Sequence, residues 1–131
     1  MNGPRICTTF GSSLHDTHLN GLFSKLACVD LSTLVAACTD AWYNQTLCQV
    51  NGCVVRLGVM QGECHWHKHD SDDEFLFVLD GEFVVDLADR SVTSKSREGF
   101  AVPKGFEHRR RAPQRAGILM EEDAGSILSG D

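Results

Sequence analysis

No apolar run in the 131-residue chain approaches the roughly 18 residues that a helix needs to cross a bilayer, so no membrane span is expected. Basic residues are scarce beside acidic ones. With 12 Lys and Arg against 18 Asp and Glu, the formal net charge is −6, which argues against nucleic acid, whose phosphates call for a basic face. The run Arg109, Arg110, Arg111 is the one basic cluster, and at least two of the three read as charges on a strand and its edge. The first twenty residues contain one Arg and no apolar segment of the secretory kind, and a cytoplasmic protein is expected. The six cysteines include no CxxC pair and are too sparse for a stapled scaffold. Free, largely buried thiols are expected. There are no internal repeats and no low-complexity segment.

What is present fits one folded domain with a short appendage. Hydrophobic residues make up 42% and charged residues 23%, too apolar for disorder. Residues 1–28 mix Gly, Ser, Thr and His with little periodicity and read as an extension, partly flexible, before a domain at 29–131. His15 and His18 there read as a solvated pair. Leu31, Leu34, Val35, Cys38 and Trp42 recur at helical spacing over 30–43, and Asp30 is placed to cap them. From about residue 46 the period becomes two. Short β-rich runs are predicted at 47–50, 53–60, 63–69, 74–79, 82–87, 91–95, 100–103, 107–111 and 116–121. Turn chemistry separates them at Asn51-Gly52, Asp80-Gly81, Ala88-Asp89-Arg90 and Lys104-Gly105. Many short strands without intervening helices predict an all-β antiparallel sandwich or barrel behind one N-terminal helix. A two-residue loop at Asn51-Gly52 would set Cys48 opposite Val55 and Cys53 opposite Val50.

The chemistry is concentrated in GECHWHKHDSDDEFLFVLDG (62–81) and VPKGFEH (102–108). On a strand, successive side chains alternate faces, so His65, His67 and His69 would share one face, with Cys64 and Trp66 on the other. Glu74 opens the next strand and can bring a carboxylate to the same centre. Histidines with a carboxylate are recurrent ligands for divalent transition metals. Phe75, Phe77 and Leu79 form one apolar face of their strand.

These two segments resemble the paired signature motifs of the cupin superfamily. The first is HxH, four residues, Glu, six residues, Gly, carried here by His67, His69, Glu74 and Gly81. The second is Pro-x-Gly-x-x-His, carried by Pro103, Gly105 and His108. The order Trp42, Asn51-Gly52, GECHWHKH, DEFLFVLDG, VPKGFEH and EDAGSIL is similar to small stand-alone cupins of the mannose-6-phosphate isomerase-like type, over residues 29–131. The resemblance implies a jelly-roll-like cupin barrel and a frequent homodimer. It also implies one divalent metal ion per chain (Fe, Mn, Ni or Zn) on His67, His69, Glu74 and His108. Arg97 stands where the family usually has Gly, which leaves the loop at 96–99 open. Ala112 stands where the wider pattern has Asn. His65 and Arg110 replace residues that are commonly apolar and proline.

Four protein ligands would saturate a tetrahedral zinc, whereas a six-coordinate ion would keep about two open positions. The reading that follows is a metal-dependent enzyme on a small polar metabolite held in the barrel, sugar or sugar-phosphate isomerase-like. Candidate acid/base groups are His65 and Glu63, and Arg110 is placed to meet an anion. An Fe(II)-dependent dioxygenase and a non-catalytic, metal-assisted binding protein are the alternatives. His65 is either a group that touches ligand or one that meets water and Glu63 at the barrel mouth. The outward Trp66, Phe75 and Phe77 exceed what one helix can cover, which predicts a dimer through the sheet.

Overall fold

Alternation of inward and outward side chains organises the described part of the chain, which in this computed structural model comprises residues 15–39 and 41–125. The elements are β1 (His15–His18), α1 (Leu31–Ala37), β2 (Trp42–Val50), β3 (Cys53–Glu63), β4 (Glu74–Asp80), β5 (Glu82–Leu87), β6 (Ser91–Lys95), β7 (Gly99–Val102) and β8 (His108–Asp123). They form a jelly-roll-like β-barrel in which the strands run in the order β1-β2-β3-β8-β4-β7, with β5 joining β8 to β6. All pairings are antiparallel except the parallel one between β1 and β2. Among the described residues, no helix is long and apolar enough to cross a membrane.

Strand β8 is the central element. One edge pairs with β3 from Cys53↔Asp123 to Glu63↔Arg111. The other edge pairs first with β4 and then with β5. The two runs predicted at 107–111 and 116–121 are therefore one sixteen-residue strand. The Asp80-Gly81 pair, which reads as a hairpin signal, is instead a kink in a run that lies along β8 on both sides of it. Gly81 has φ +90, and a Cβ there would lie 2.8 Å from the Arg115 carbonyl oxygen. Its glycine thus serves close backbone approach as well as a positive φ. Asn51-Gly52 does close a hairpin, with the foreseen pairs Cys48↔Val55 and Val50↔Cys53. Arg97 adopts φ 73, which explains why glycine is the usual occupant, and its N–H still donates to the Val78 carbonyl at 2.8 Å.

The helix is shorter than its periodicity suggests. Asp30 caps it by accepting from the Thr33 N–H at 3.2 Å, but the chain is extended from Cys38. Trp42 belongs to β2 and is buried inside the barrel. Burial of a large aromatic overrides a helical spacing that is only local. Leu31, Leu34 and Val35 pack on Leu47, Leu57 and Val59, on the outer face of the sheet. The segment before α1 follows β2, with Leu22 and Phe23 N–H groups donating to the Thr46 and Leu47 carbonyls. Of the stretch read as an extension, residues 1–14 lie outside the described residues. Cys28, Cys38, Cys48 and Cys53 are free, whereas Cys64 is disulfide-bonded, against the expectation of free thiols.

On the outer side of β8, Asp86 of β5 gathers two arginines. It accepts from Arg109 Nη2 at 2.8 Å, from Arg111 Nε at 2.8 Å and from the Ser91 hydroxyl at 2.6 Å. Arg111 above all, with Ser91 and Arg109, outweighs burial and holds the Asp86 carboxyl well below the usual carboxylate range. A depressed folded pKa contributes stability above the unfolded value and loses it as pH falls. Asp86→Asn is therefore expected to cost about 1–2 kcal/mol at neutral pH. In thermal unfolding followed across pH, the gap to wild type should close below the ordinary aspartate value of 3.8.

Candidate metal centre

The 63–69 segment is not a regular strand. After β3 ends at Glu63, the chain stays on the edge of β8 through a few bonds. The Cys64 N–H donates to the Arg110 carbonyl at 2.8 Å, and His67 and His108 exchange both backbone bonds at 2.9 and 2.8 Å. The loop after β7 is tied to the same segment. The Gly105 N–H donates to the His69 carbonyl at 2.7 Å, and the Lys104 N–H donates to Asp73 Oδ1 at 2.9 Å. Bonds that involve none of the histidine or Glu74 side chains thus bring both sequence motifs together.

The side chains converge accordingly. His67, His69 and His108 are buried, and their ligand atoms lie within 4.8 Å of one another, a spacing compatible with one metal ion. Glu74, at the start of β4, places Oε1 at 3.7 Å from His108 Nε2 and 3.9 Å from His69 Nε2. These separations are too long for hydrogen bonds and leave the groups facing a common centre. His67 Nδ1 lies 3.1 Å from the His65 carbonyl, and His108 Nδ1 lies 3.0 Å from that of Phe106. A carbonyl only accepts, so each Nδ1 carries the proton and each Nε2 presents a lone pair. Among the described residues, no group hydrogen-bonds Nε2 of His67, Nε2 of His108 or Oε1 of Glu74. Buried and orphaned acceptors aimed at one another are unstable company unless a cation joins them. The donor set therefore fits a divalent metal.

Electrostatics support that fit. Burial, with Arg110 and His108 nearby, lowers His67 to about 3. Burial likewise lowers His69, despite the opposing pull of Glu74. For Glu74, burial alone would raise the value, but Arg110 and the adjacent histidines reverse this and hold it at about 2. At neutral pH His67 and His69 are thus neutral imidazoles and Glu74 is a carboxylate, the protonation states that a metal requires.

The other candidates separate by face. Arg110 points inward and is fully buried, with Nη1 at 3.9 Å from Glu74 Oε2. Arg109 and Arg111 point outward to Asp86, so two of the three arginines are charges on a strand face. His65 is half-buried, its ring centroid 5.3 Å from that of His67. Glu63 is exposed and lies 3.3 Å from Arg109 Nη1. Trp66 also faces away from the histidines, and it carries the Arg109 guanidinium 5.5 Å from its ring.

One interior feature has no counterpart in the sequence reading. Arg56 of β3 forms a buried ion pair with Glu122 of β8 and donates through Nε to the Thr46 hydroxyl at 3.1 Å. Arg56 has the parity of Met60, which is a usable signal, but Glu122 lies beyond the predicted end of its strand. A half-open cavity of about 320 Å³ reaches Glu74 and Glu122 past Asp72, Phe75 and Ala101.

Comparison with known proteins agrees with this architecture. Residues 53–119 match the family described as Cupin domain. The chain is 39% identical over 70 residues to the uncharacterized protein YdbB of Bacillus subtilis, covering 53% of this chain and 62% of that one. It therefore spans less than two thirds of the length of that curated relative. A cupin-2 domain protein of Shewanella frigidimarina superposes with a TM-score of 0.70 at 24% identity, over 72% of this chain and 93% of the other. A protein of Neisseria meningitidis does so at 0.66 and 28% identity, over 74% and 99%.

If these side chains share one ion, His67→Ala, Glu74→Ala and His108→Ala should each weaken metal binding by at least about 100-fold, since losing only an outer partner costs about 10- to 100-fold. Elemental analysis after dialysis checks this. Asp70→Asn, in an exposed pair with Lys68, should retain the metal. A full metal complement in the three ligand variants would remove the assignment.

Proposed function

The chain belongs to the cupin family, and from that premise we propose that it is a metal-dependent enzyme acting on a small polar metabolite inside the barrel, of the sugar or sugar-phosphate isomerase-like kind. The observation that carries the reading is the buried group His67, His69 and His108 with the Glu74 carboxylate 3.7 Å from His108. These four residues would hold one divalent ion. When bound, such an ion supplies Lewis-acid chemistry, polarising an oxygen of the bound molecule.

The chain's own groups divide the remaining work. Carbonyls of His65 and Phe106 hold the His67 and His108 rings in orientation through Nδ1. Leu76, Met60 and Phe83 are buried in the barrel core, where they limit water. His65, half-buried beside His67, is the group that holds or moves a proton at its ring nitrogen. Glu63 is engaged by Arg109, so acid/base work falls to His65. Two copies are proposed to associate through the outer face around Phe75 and Phe77, where Val55 and Leu119 complete an apolar groove of about 260 Å³.

His65→Val should leave metal stoichiometry at the wild-type value. It should lower turnover of a sugar-phosphate panel about 10²- to 10⁴-fold. Protein purified without metal-affinity steps is the material to use. Metal uptake with no turnover of any panel member would favour the non-catalytic binding protein. Sedimentation is expected to show a dimer at micromolar concentration, and a clean monomer would remove the proposed interface.

A further inference from the structure

Arg110 lends the proposed metal centre its charge beside Glu74, but most of its donors are not used there. Its guanidinium is fully buried. Of its donors, Nη1 reaches the Met120 sulfur at 3.3 Å, a weak acceptor, and stands 3.9 Å from Glu74 Oε2. Nε and Nη2 are buried, and among the described residues no group accepts from either. These two nitrogens form one edge of the guanidinium plane, the edge whose parallel N–H groups match two oxygens of a carboxylate or phosphate. A residue kept only to pair with Glu74 would present its donors to that carboxylate at hydrogen-bond distance. Here the two-donor edge is turned elsewhere.

Charge counting within the barrel points the same way once an ion is bound. Arg56 and Glu122 neutralise each other in a direct pair. Among the described residues directed into the barrel, that leaves Arg110 and Glu74 as the ionised pair beside the three histidines. A divalent ion held by neutral imidazoles and Glu74 would leave an excess of two positive charges in a desolvated interior. Such an excess is stable only when an anion enters with it.

We propose that Arg110 is the anchor of an anionic ligand, binding a carboxylate or phosphate group of the barrel's small molecule through Nε and Nη2. The proposal rests on the reading of the barrel as a metal-assisted small-molecule site, and it narrows the ligand to an anion. It also gives a reason for an arginine next to a cation site, a position where like charge would otherwise weaken metal uptake.

Isothermal calorimetry with two probes, inorganic phosphate and glycolate, tests it on metal-free and Co(II)-loaded protein. Wild type should bind at least one probe, and whichever binds more tightly identifies the anionic group. Arg110→Met should retain one cobalt per chain and weaken that probe by about 10- to 100-fold. Arg110→Lys keeps a positive charge but not the two-donor edge, and it should fall between the two. It also serves where Arg110→Met fails to fold. Cobalt stoichiometry and circular dichroism separate loss of anion binding from loss of structure. No binding of either probe by wild type, or wild-type affinity in both variants, overturns the proposal. Failure of wild type to take up cobalt would instead overturn the metal reading, and the metal-free titration would then decide the role of Arg110.

Discussion

Alternation along β8 is the constraint from which both the stability and the site of this protein proceed. Three consecutive arginines are sent to opposite sides of one strand. Arg109 and Arg111 meet Asp86 on the outside, where β5 is tied to β8. His108 and Arg110 are directed inward to the cluster with Glu74. A register slip of one residue would put the outer pair's charges into the core and His108 into solvent. Asp86 therefore guards more than a surface contact. Its bonds to the two outward arginines favour the register that delivers the inward histidine.

Inside the barrel, burial sets the character of the groups. Removing imidazoles from water disfavours their charged form, which keeps His67 and His69 as lone-pair donors. The same burial would neutralise Glu74, were it not for the positive field of Arg110. One desolvated space thus holds neutral bases and an ionised acid together. Arg110 is what makes those opposite outcomes compatible.

Much of this was legible in the sequence. The period of two, the Asn51-Gly52 turn and the spacing of His67, His69 and Glu74 carry local information that needs no tertiary context. The inward parity of His108 and Arg110 follows from the same rule. What escaped was decided by long-range pairing. Asp80-Gly81 has hairpin chemistry, yet β8 offers an edge long enough for both flanking strands, so the chain bends instead. Trp42 fits a helical stripe, yet the barrel interior claims it. Residues 63–69 read as a strand, but beyond Glu63 they meet β8 only through scattered bonds. The Arg56–Glu122 pair was hidden for a related reason, since its partners are 66 positions apart and no local pattern links them.

The backbone bonds that join His67 to His108 and Gly105 to His69 use no side chain from the donor cluster. These bonds would hold the scaffold of the centre together without help from an ion. Little chain entropy remains to be lost on uptake, in contrast to small zinc domains whose metal is their folding energy. An ion bound there would be an exchangeable guest of a preformed host. Which metal occupied it would then depend on the supply in the surroundings and on the host's geometry, and a change of metal would leave the architecture unaltered.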